Sequence, residues 1–429
     1  PFIILFCFSG IVLNHAGLLA DVNISRKLLP AEYWYDRWNK GLLRGTMKWN
    51  CKTLIYGNSG IWLKEESNGT IRDFNRGLPN GADHRSIRGV VSMPNGFLYA
   101  ISQYNLYCLN ECGAWMKIDL PNDEHERLSD ITQKNDSLII TGRSHIYLSH
   151  VPYHTFQKIT LKKGGNDKGK VLLFRTIWLL HGGGLFGIVG KLFVDLVGLI
   201  LLFLSISGIY YSFAPRPHSS FGARIKSWLI KWHNQIGWAS IFFLLLLTIT
   251  GWMLRPPALI AIASAKIPPI PFSAMDSDNP WNDCLRSLWY DDDKEDWLLC
   301  TSDGFYSLRH LSDTPQKEQV QPPVSVMGIN VEQKDSRHKW LIGSFSGLYV
   351  WDRPHEEVTD YFTHHAPQPT SEMPISSHPI SGFSSDIEDA ELVVDYNKGC
   401  PRLSMPNIMA TLPMSLRNVC IEVHLSLIH

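Results

Sequence analysis

The chain has 429 residues, of which 45% are hydrophobic, and its 40 basic and 40 acidic side chains give a formal net charge of zero. This balance would suit a soluble protein, and the sequence shows no basic, aromatic-rich patch typical of nucleic-acid binding. It also contains no phosphate-binding loop, no Ser/His/Asp constellation and no CxxC or CxxCH motif. Nucleic-acid partners, zinc binding and covalent haem attachment are therefore not indicated.

The first element, residues 1–20, reads PFIILFCFSGIVLNHAGLLA. The apolar stretch before Asn14 is shorter than the roughly 20 helical residues that a bilayer requires. The stretch lacks the basic start and the small-residue cleavage site of a signal peptide. We therefore expect a partial first transmembrane helix, the outer half of a helix whose start is missing.

Two longer apolar runs predict a second transmembrane helix over residues 179–213 and a third over 233–254. Residues 196–213 and 236–254 hold no charged side chain. Uncharged runs of this length are typical of membrane spans, the alternative being buried helices of a soluble protein. The connecting segment, 214–232, contains four basic and no acidic residues. Because short positive loops remain in the cytoplasm, we expect both flanking polar segments on the opposite side of a bacterial inner membrane.

The polar segments, residues 21–178 and 255–418, carry a recurring pattern of β-type residues, a tight turn and an apolar–aromatic pair. Copies begin at Leu54, Leu98, Leu138, Trp297 and Trp340. A spacing of about 40–45 residues is typical of propeller blades. About three repeats in the first segment and two in the second predict one all-β, propeller-like extracytoplasmic domain formed from two loops. Two separate β domains built of ordinary hairpins are the alternative.

The last element, residues 419–429, is predicted to be the start of a truncated fourth helix. The parent protein would then have a membrane bundle with a core of four helices, two of them complete here. In this topology His15, His181 and His424 lie at the outer shoulder of the membrane, and His233 lies at the inner shoulder.

These four histidines are the candidate cofactor-binding residues. His181 and His424 occupy equivalent positions on two helices that run inward, so their imidazoles could clamp one haem iron. His233 would bind a second haem at the inner face, with a partner on the missing part of the first helix. His15 is an additional outer candidate. The alternative for each is an ordinary polar residue at the membrane interface.

Two further features accompany the histidines. The strings SISG, at residues 205–208, and TITG, at 248–251, place small residues where helices could approach closely, although Ser, Thr and Gly are also simply common in such helices. Lys191 and Asp195 are four residues apart and could form an ion pair on one helix face, or simply lie at the interface.

The chain resembles the PepSY-associated transmembrane helix family, which includes bacterial iron-regulated inner-membrane proteins, in a variety found in Bacteroidetes-like bacteria. The resemblance extends over nearly the whole chain and is carried by four strings: SGIVLNH (Ser9–His15), LLHGGGLFGIVGKLFVD (Leu179–Asp195), WHNQIGW (Trp232–Trp238) and LPMSLRNVCIEVH (Leu412–His424).

The resemblance implies an inner-membrane protein in which His181, His233 and His424 match membrane histidines of the family. Some relatives are implicated in siderophore-iron uptake as haem-containing ferric reductases. The chain departs from the family at residues 182–184, which read Gly-Gly-Gly where SGE or TGE is frequent, and at 425–426, which read Leu-Ser where Thr-Gly is usual.

Together these features predict a b-type haem protein that takes electrons from an unknown cytoplasmic donor. The electrons would pass to a ferric siderophore or another iron chelate held at the outer domain, with the lipid bilayer as the surrounding medium. The alternative is a non-catalytic, membrane-anchored sensor or binding protein that uses the propeller-like domain.

Overall fold

The chain forms two compact units. The computed structural model describes residues 2–30, 33–35, 37–67, 69–121, 126–164, 169–213, 219–263, 265–325, 328–367, 378–387, 390–400 and 413–416. A helical unit contains the described residues of Pro1–Leu19 and Gly169–Ser277, and a β unit contains those of Ala20–Lys168 and Asp278–Leu416.

The helical unit is dominated by two long apolar helices that pack against each other, and a shorter helix at residues 2–14 packs against the first of them. In chain order the helices of the described chain are α1 (Phe2–Asn14), α2 (Ala82–Arg85, in the β unit), α3 (Leu173–His181), α4 (Gly187–Phe213), α5 (Ser220–Met253) and α6 (Ala258–Ala263). By length and composition, the segments Gly184–Phe213 and Ser220–Met253 can each cross a membrane. Large apolar side chains such as Leu192 and Leu196 are exposed on α4, as expected for lipid-facing positions.

The helix boundaries differ from the predicted ones in two places. The predicted helix over 179–213 is broken after His181, where Gly183 adopts a left-handed φ of 74°. A Cβ on Gly183 would lie 2.3 Å from the carbonyl oxygen of Gly190, so both the conformation and the close approach require glycine. The third helix begins at Ser220 rather than at His233, because the Ser219 hydroxyl accepts a 3.1 Å hydrogen bond from the Gly222 N–H and caps it.

The β unit is built from antiparallel sheets whose strands follow one another in chain order. Each of the five predicted repeats forms the hairpin between the second and third strands of one four-stranded sheet. We number these sheets I to V, with strands β2 (Gly45–Trp49), β3 (Lys52–Gly57), β4 (Gly60–Glu65) and β5 (Ile71–Asp73) in sheet I; β6 (Gly89–Ser92), β7 (Leu98–Ile101), β8 (Leu106–Leu109) and β9 (Trp115–Ile118) in sheet II; β10 (Leu128–Lys134), β11 (Ser137–Gly142), β12 (Ile146–His150) and β13 (Gln157–Ile159) in sheet III; β16 (Leu285–Asp291), β17 (Asp296–Thr301), β18 (Gly304–Leu308) and β19 (Gln316–Lys317) in sheet IV; and β20 (Ile329–Lys334), β21 (Trp340–Ser344), β22 (Gly347–Asp352) and β23 (Glu357–Asp360) in sheet V.

Three shorter sheets complete the described strands. Sheet VI consists of β24 (Ile380–Ile387) and β25 (Ala390–Asp395) and was not predicted from the sequence. In the β unit, β1 (Asn23–Ser25) pairs with β26 (Pro413–Ser415), so the first and last strands of this unit are neighbours. In the helical unit, β14 (Val171–Leu172) pairs with β15 (Lys266–Ile267).

The core of the β unit lies between successive sheets. Separate clusters of buried apolar side chains join sheets I and II, II and III, III and IV, IV and V, and V and VI. Sheet VI in turn contacts sheet I, where the Thr46 hydroxyl donates to the Asp386 carboxylate at 2.7 Å. Gly382 packs so closely there that a Cβ would lie 2.3 Å from the Leu43 carbonyl oxygen. Every sheet from I to VI therefore packs against the next, and VI packs against I.

A buried ionic network joins sheets IV and V. The Arg353 side chain is fully buried and donates to Asp291 at 2.6 Å, Asp296 at 2.8 Å and Glu318 at 2.6 Å. Burial alone would raise the pKa of Asp291, but hydrogen bonds, first among them one from Lys334, lower this pKa to about 2. The guanidinium thus compensates three carboxylates that have little access to water.

Two half-buried carboxyl groups on the first strands of their sheets form no ion pair within the described part of the chain. Burial raises the pKa of Asp130, on β10, to about 7 and that of Glu332, on β20, to about 8. The Ser287 hydroxyl donates to Glu332. The thiols of Cys108 and Cys112 are free.

Candidate functional site

The first candidate ligand, His233, is held between the two long helices. Its Nδ1 lies 2.9 Å from the hydroxyl oxygen of Ser207 on α4. That hydroxyl also lies 2.7 Å from the carbonyl oxygen of Phe203, to which it donates its only hydrogen. The imidazole ring lies against Gly208, where an added Cβ would come within 3.5 Å of Cε1.

The second candidate ligand, His181, has a matching environment at the end of α3. Its Nδ1 lies 3.0 Å from the hydroxyl oxygen of Thr250 on α5, and that hydroxyl donates to the Leu246 carbonyl oxygen at 2.8 Å. A Cβ on Gly251 would lie 2.9 Å from Cε1 of the imidazole. A hydroxyl residue followed by glycine therefore supports both histidines.

These contacts favour one tautomer of each ring. A hydroxyl that gives its hydrogen to a carbonyl oxygen accepts from the imidazole, an arrangement that places the proton on Nδ1. In this tautomer Nε2 is the nitrogen without a proton. An N–H held by one partner while the other nitrogen keeps its lone pair is the usual arrangement of a metal-binding histidine.

The two histidines lie at different depths of the helical unit. His233 and Thr250, the partner of His181, are both on α5 and 17 positions apart in the sequence. At about 1.5 Å per residue, this separation is ~25 Å along the helix axis. That rise is close to the thickness of a bilayer's hydrocarbon core, so the two imidazoles occupy opposite ends of the span.

The third histidine, His15, is paired with a carboxylate. Its Nε2 lies 2.5 Å from Asp195 Oδ2, and Asn14 donates to Oδ1 of the same carboxylate at 2.9 Å. Asp195 is buried, and these contacts join the end of α1 to α4. The carboxylate that was a candidate partner for Lys191 is bound instead by Asn14, the last residue of α1, and by His15, which follows it. His15 therefore has only Nδ1 left for a ligand.

Other parts of the predicted site have different outcomes. His424, the predicted axial partner of His181, lies outside the described residues. Of the glycines after His181, Gly183 lies in the turn before α4 and is in backbone contact with Gly190 of that helix. Within the described ranges, no three His, Cys, Asp or Glu side chains are grouped so as to hold a metal ion.

The hydroxyl–glycine pairs were recognised in the sequence only as positions of close helix approach. Their role as histidine partners was missed. The signal was present, because both SISG and TITG end in a hydroxyl residue and a glycine, and each lies on a span that faces a histidine of another helix.

The similarities to known proteins outside the family are distant. No curated protein matches the chain. Among solved structures, the extracellular domain of BT4673, a proposed hybrid two-component system of B. thetaiotaomicron, aligns with 83% of this chain at 10% identity and a TM-score of 0.39. PorZ, a surface component of the type-IX secretion system of Porphyromonas gingivalis, aligns with 85% at 12% identity and a TM-score of 0.35. The chain covers 32% and 38% of these two structures.

A sequence family gives the assignment. The family described as the PepSY-associated TM region matches residues 126–334, a stretch that contains α3, α4 and α5 together with His181 and His233. This match confirms the resemblance on which the sequence interpretation rested and agrees with the two apolar helices of membrane-spanning length. Through this region, the chain is similar to the PepSY-associated transmembrane family.

Proposed function

We propose that this protein transfers electrons across a membrane by means of b-type haem, with a ferric chelate such as a ferric siderophore as the acceptor. The observation that carries the proposal is the shared environment of His181 and His233. In both, a hydroxyl favours the proton on Nδ1, and a glycine keeps the ring close to a neighbouring helix. One imidazole near each end of the span would hold a haem iron.

In this proposal His233 and His181 would bind haem iron through Nε2, and a bound haem would supply one-electron redox chemistry. Ser207 and Thr250 act as positioning residues, since their hydroxyls hold the ring orientation and the tautomer. His424 would be the second ligand at the level of His181. The Asp195 carboxylate binds His15 in the N-terminal half of α4, and this contact joins the end of α1 to α4.

The arrangement in the membrane is part of the same proposal. The basic residues between α4 and α5 would remain in the cytoplasm, and both parts of the β unit would lie in the periplasm of a bacterial inner membrane. The parent protein would contain four core helices. We further propose that sheets I–VI form a six-bladed propeller, which is supported by the packing of each sheet on the next and of VI on I.

The test is the visible spectrum and haem content of the parent protein purified in detergent. We expect a bis-imidazole b-type spectrum, and we expect His233→Ala and His181→Ala each to remove part of the haem. Ser207→Ala should shift the redox midpoint of the inner haem while leaving most of its haem bound, because the imidazole loses only its Nδ1 partner.

The control is His310→Ala, which changes an exposed histidine of the β unit and should leave the spectrum unchanged. A protein that contains no haem, or haem that persists unchanged in both membrane variants, would refute the proposal. The first of these results would favour the alternative function, a non-catalytic membrane-anchored sensor or binding protein.

A further inference from the structure

Three arginines occupy the same structural position in successive sheets of the β unit. Arg44 immediately precedes β2, Arg88 precedes β6 and Arg127 precedes β10, so each stands at the start of the first strand of its sheet. A fourth arginine, Arg143, directly follows β11 of sheet III.

Backbone hydrogen bonds bring these strand starts together. Gly45 pairs with Tyr56 at the end of β3, and the next residue, Gly57, accepts a 2.9 Å bond from the N–H of Ile87, just before Arg88. The start of β6 therefore lies beside the start of β2.

The same connection is repeated between sheets II and III. Gly89 pairs with Ile101 at the end of β7, and Gln103 accepts a 2.9 Å bond from the N–H of Leu128, next to Arg127. Arg143 then donates its N–H to the Arg127 carbonyl oxygen at 3.0 Å. The four arginines thus share one end of the first strands.

Three of the guanidinium groups at this end, those of Arg44, Arg88 and Arg127, are not paired with any carboxylate of the described residues. In the described part of the chain, the side chains of Arg44, Arg88 and Arg127 form no hydrogen bond and no ion pair, and Nε of Arg44 is buried without a partner. Arg353, by contrast, satisfies three carboxylates. Half-buried arginines usually have a partner, so these three are an exception that requires an explanation.

The electrostatics agree with this geometry. The charge of Arg44, then burial, then the charges of Arg127 and Arg143 lower the pKa of Arg88 well below its usual range. Because a guanidinium keeps its proton at neutral pH, the repulsion cannot be relieved by deprotonation. An anion bound between the groups would relieve it.

We propose that Arg44, Arg88 and Arg127 form a binding site for a multivalent oxyanion, a small molecule that carries several carboxylate or phosphate groups. Planar guanidinium groups bind such oxygens in pairs, and several groups from different strands suit a ligand with several anionic arms. The site belongs to the β unit alone and does not depend on haem.

The test measures binding of three probes to the full chain in detergent by isothermal titration calorimetry at constant ionic strength. The probes are citrate as a polycarboxylate, inorganic phosphate, and acetate as a monovalent control. We expect saturable binding of citrate or phosphate and no saturable binding of acetate. The probe that binds more tightly identifies whether the natural ligand carries carboxylate or phosphate groups. We expect Arg88→Ala to weaken binding by about tenfold or more, as expected for a charged hydrogen bond.

Two further measurements distinguish the loss of a specific binding site from a general loss of positive charge. Arg337→Ala removes an exposed arginine of the same unit and should leave binding unchanged. Without ligand, Arg88→Ala should melt at the same or a higher temperature than the unaltered protein, because it removes a repelled charge. Equal binding of acetate and citrate, equal loss in Arg337→Ala, or no saturable binding of either multivalent probe would overturn the proposal.

Discussion

Replacing Arg353 by methionine should destabilise the β unit strongly. The substitution keeps an unbranched apolar side chain in the buried space but removes the cation that contacts Asp291, Asp296 and Glu318 at 2.6–2.8 Å. The three carboxylates would then lie together without a counter-charge. Loss of one partner from a buried ion pair typically costs about 3–5 kcal/mol, and we expect the free energy of unfolding to fall by this amount.

The effect should depend on pH with a defined sign. Because the folded-state pKa of Asp291 is lowered to about 2, its contribution to stability is present above its ordinary pKa and is lost as pH falls toward 2. In Arg353→Met, the pKa values of the carboxylates should rise, so that they become protonated in the folded protein. The difference from the unaltered protein should therefore be largest near pH ~7 and shrink toward pH ~3.

Urea unfolding in detergent, followed by tryptophan fluorescence, measures this difference. Trp351 stacks on Arg353, and Trp340 donates to Asp291 at 2.8 Å, so both report on the network. Arg337→Met is the matched control, because that arginine is 69% exposed and its surface ion pair should be worth about 1 kcal/mol or less. Equal destabilisation by the two variants, or a difference that grows toward low pH, would refute the reasoning.

Three further substitutions test other parts of the structure. Gly183→Ala should reduce the yield of folded protein in detergent, as judged by gel filtration, because it adds a backbone clash to the strain of a positive φ; Gly187→Ala shares the positive φ but has open space and should fold in higher yield. Glu332→Gln should gain stability relative to the unaltered protein as pH rises from ~5 to ~8, measured by urea unfolding, because the raised pKa of this carboxyl makes its ionisation oppose folding over that range. Gly382→Ala should lower the free energy of unfolding by about 1–3 kcal/mol, since a Cβ would lie 2.3 Å from the Leu43 carbonyl oxygen; an unchanged urea midpoint would count against the tight contact between sheets VI and I.

The sequence predicts those parts of the fold that depend on local patterns. The five hairpins were found because each combines β-type residues with a tight turn and an aromatic residue, as in the copies from Leu54 and Trp340. Sheet VI lacks this pattern and was missed. The break at Gly183 was missed because apolar residues continue on both sides of it, and only the contact with Gly190 shows that the helix must stop.

The candidate sites were predictable only as residue types. His181 and His233 stood out beside apolar runs, but their hydroxyl partners depend on how separate helices meet. The sequence does mark the arginines before β2, β6 and β10, because one arginine recurs in each repeat, in the strings LLRGT, SIRGV and ERLSD. That signal carries no meaning until the strand starts are known to lie together.

The core of the β unit is completed by strands that precede and strands that follow the membrane-spanning helices in the sequence. Apolar side chains of sheet III, such as Ile139 and Ile146, pack against Leu285 and Leu299 of sheet IV, yet α4 and α5 lie between these sheets in the chain. During synthesis, sheets I–III emerge first and cannot bury this face until both helices and then sheet IV have followed. The exposed edge must therefore persist through membrane insertion, which makes this half-built core a substrate for chaperones and proteases during biogenesis.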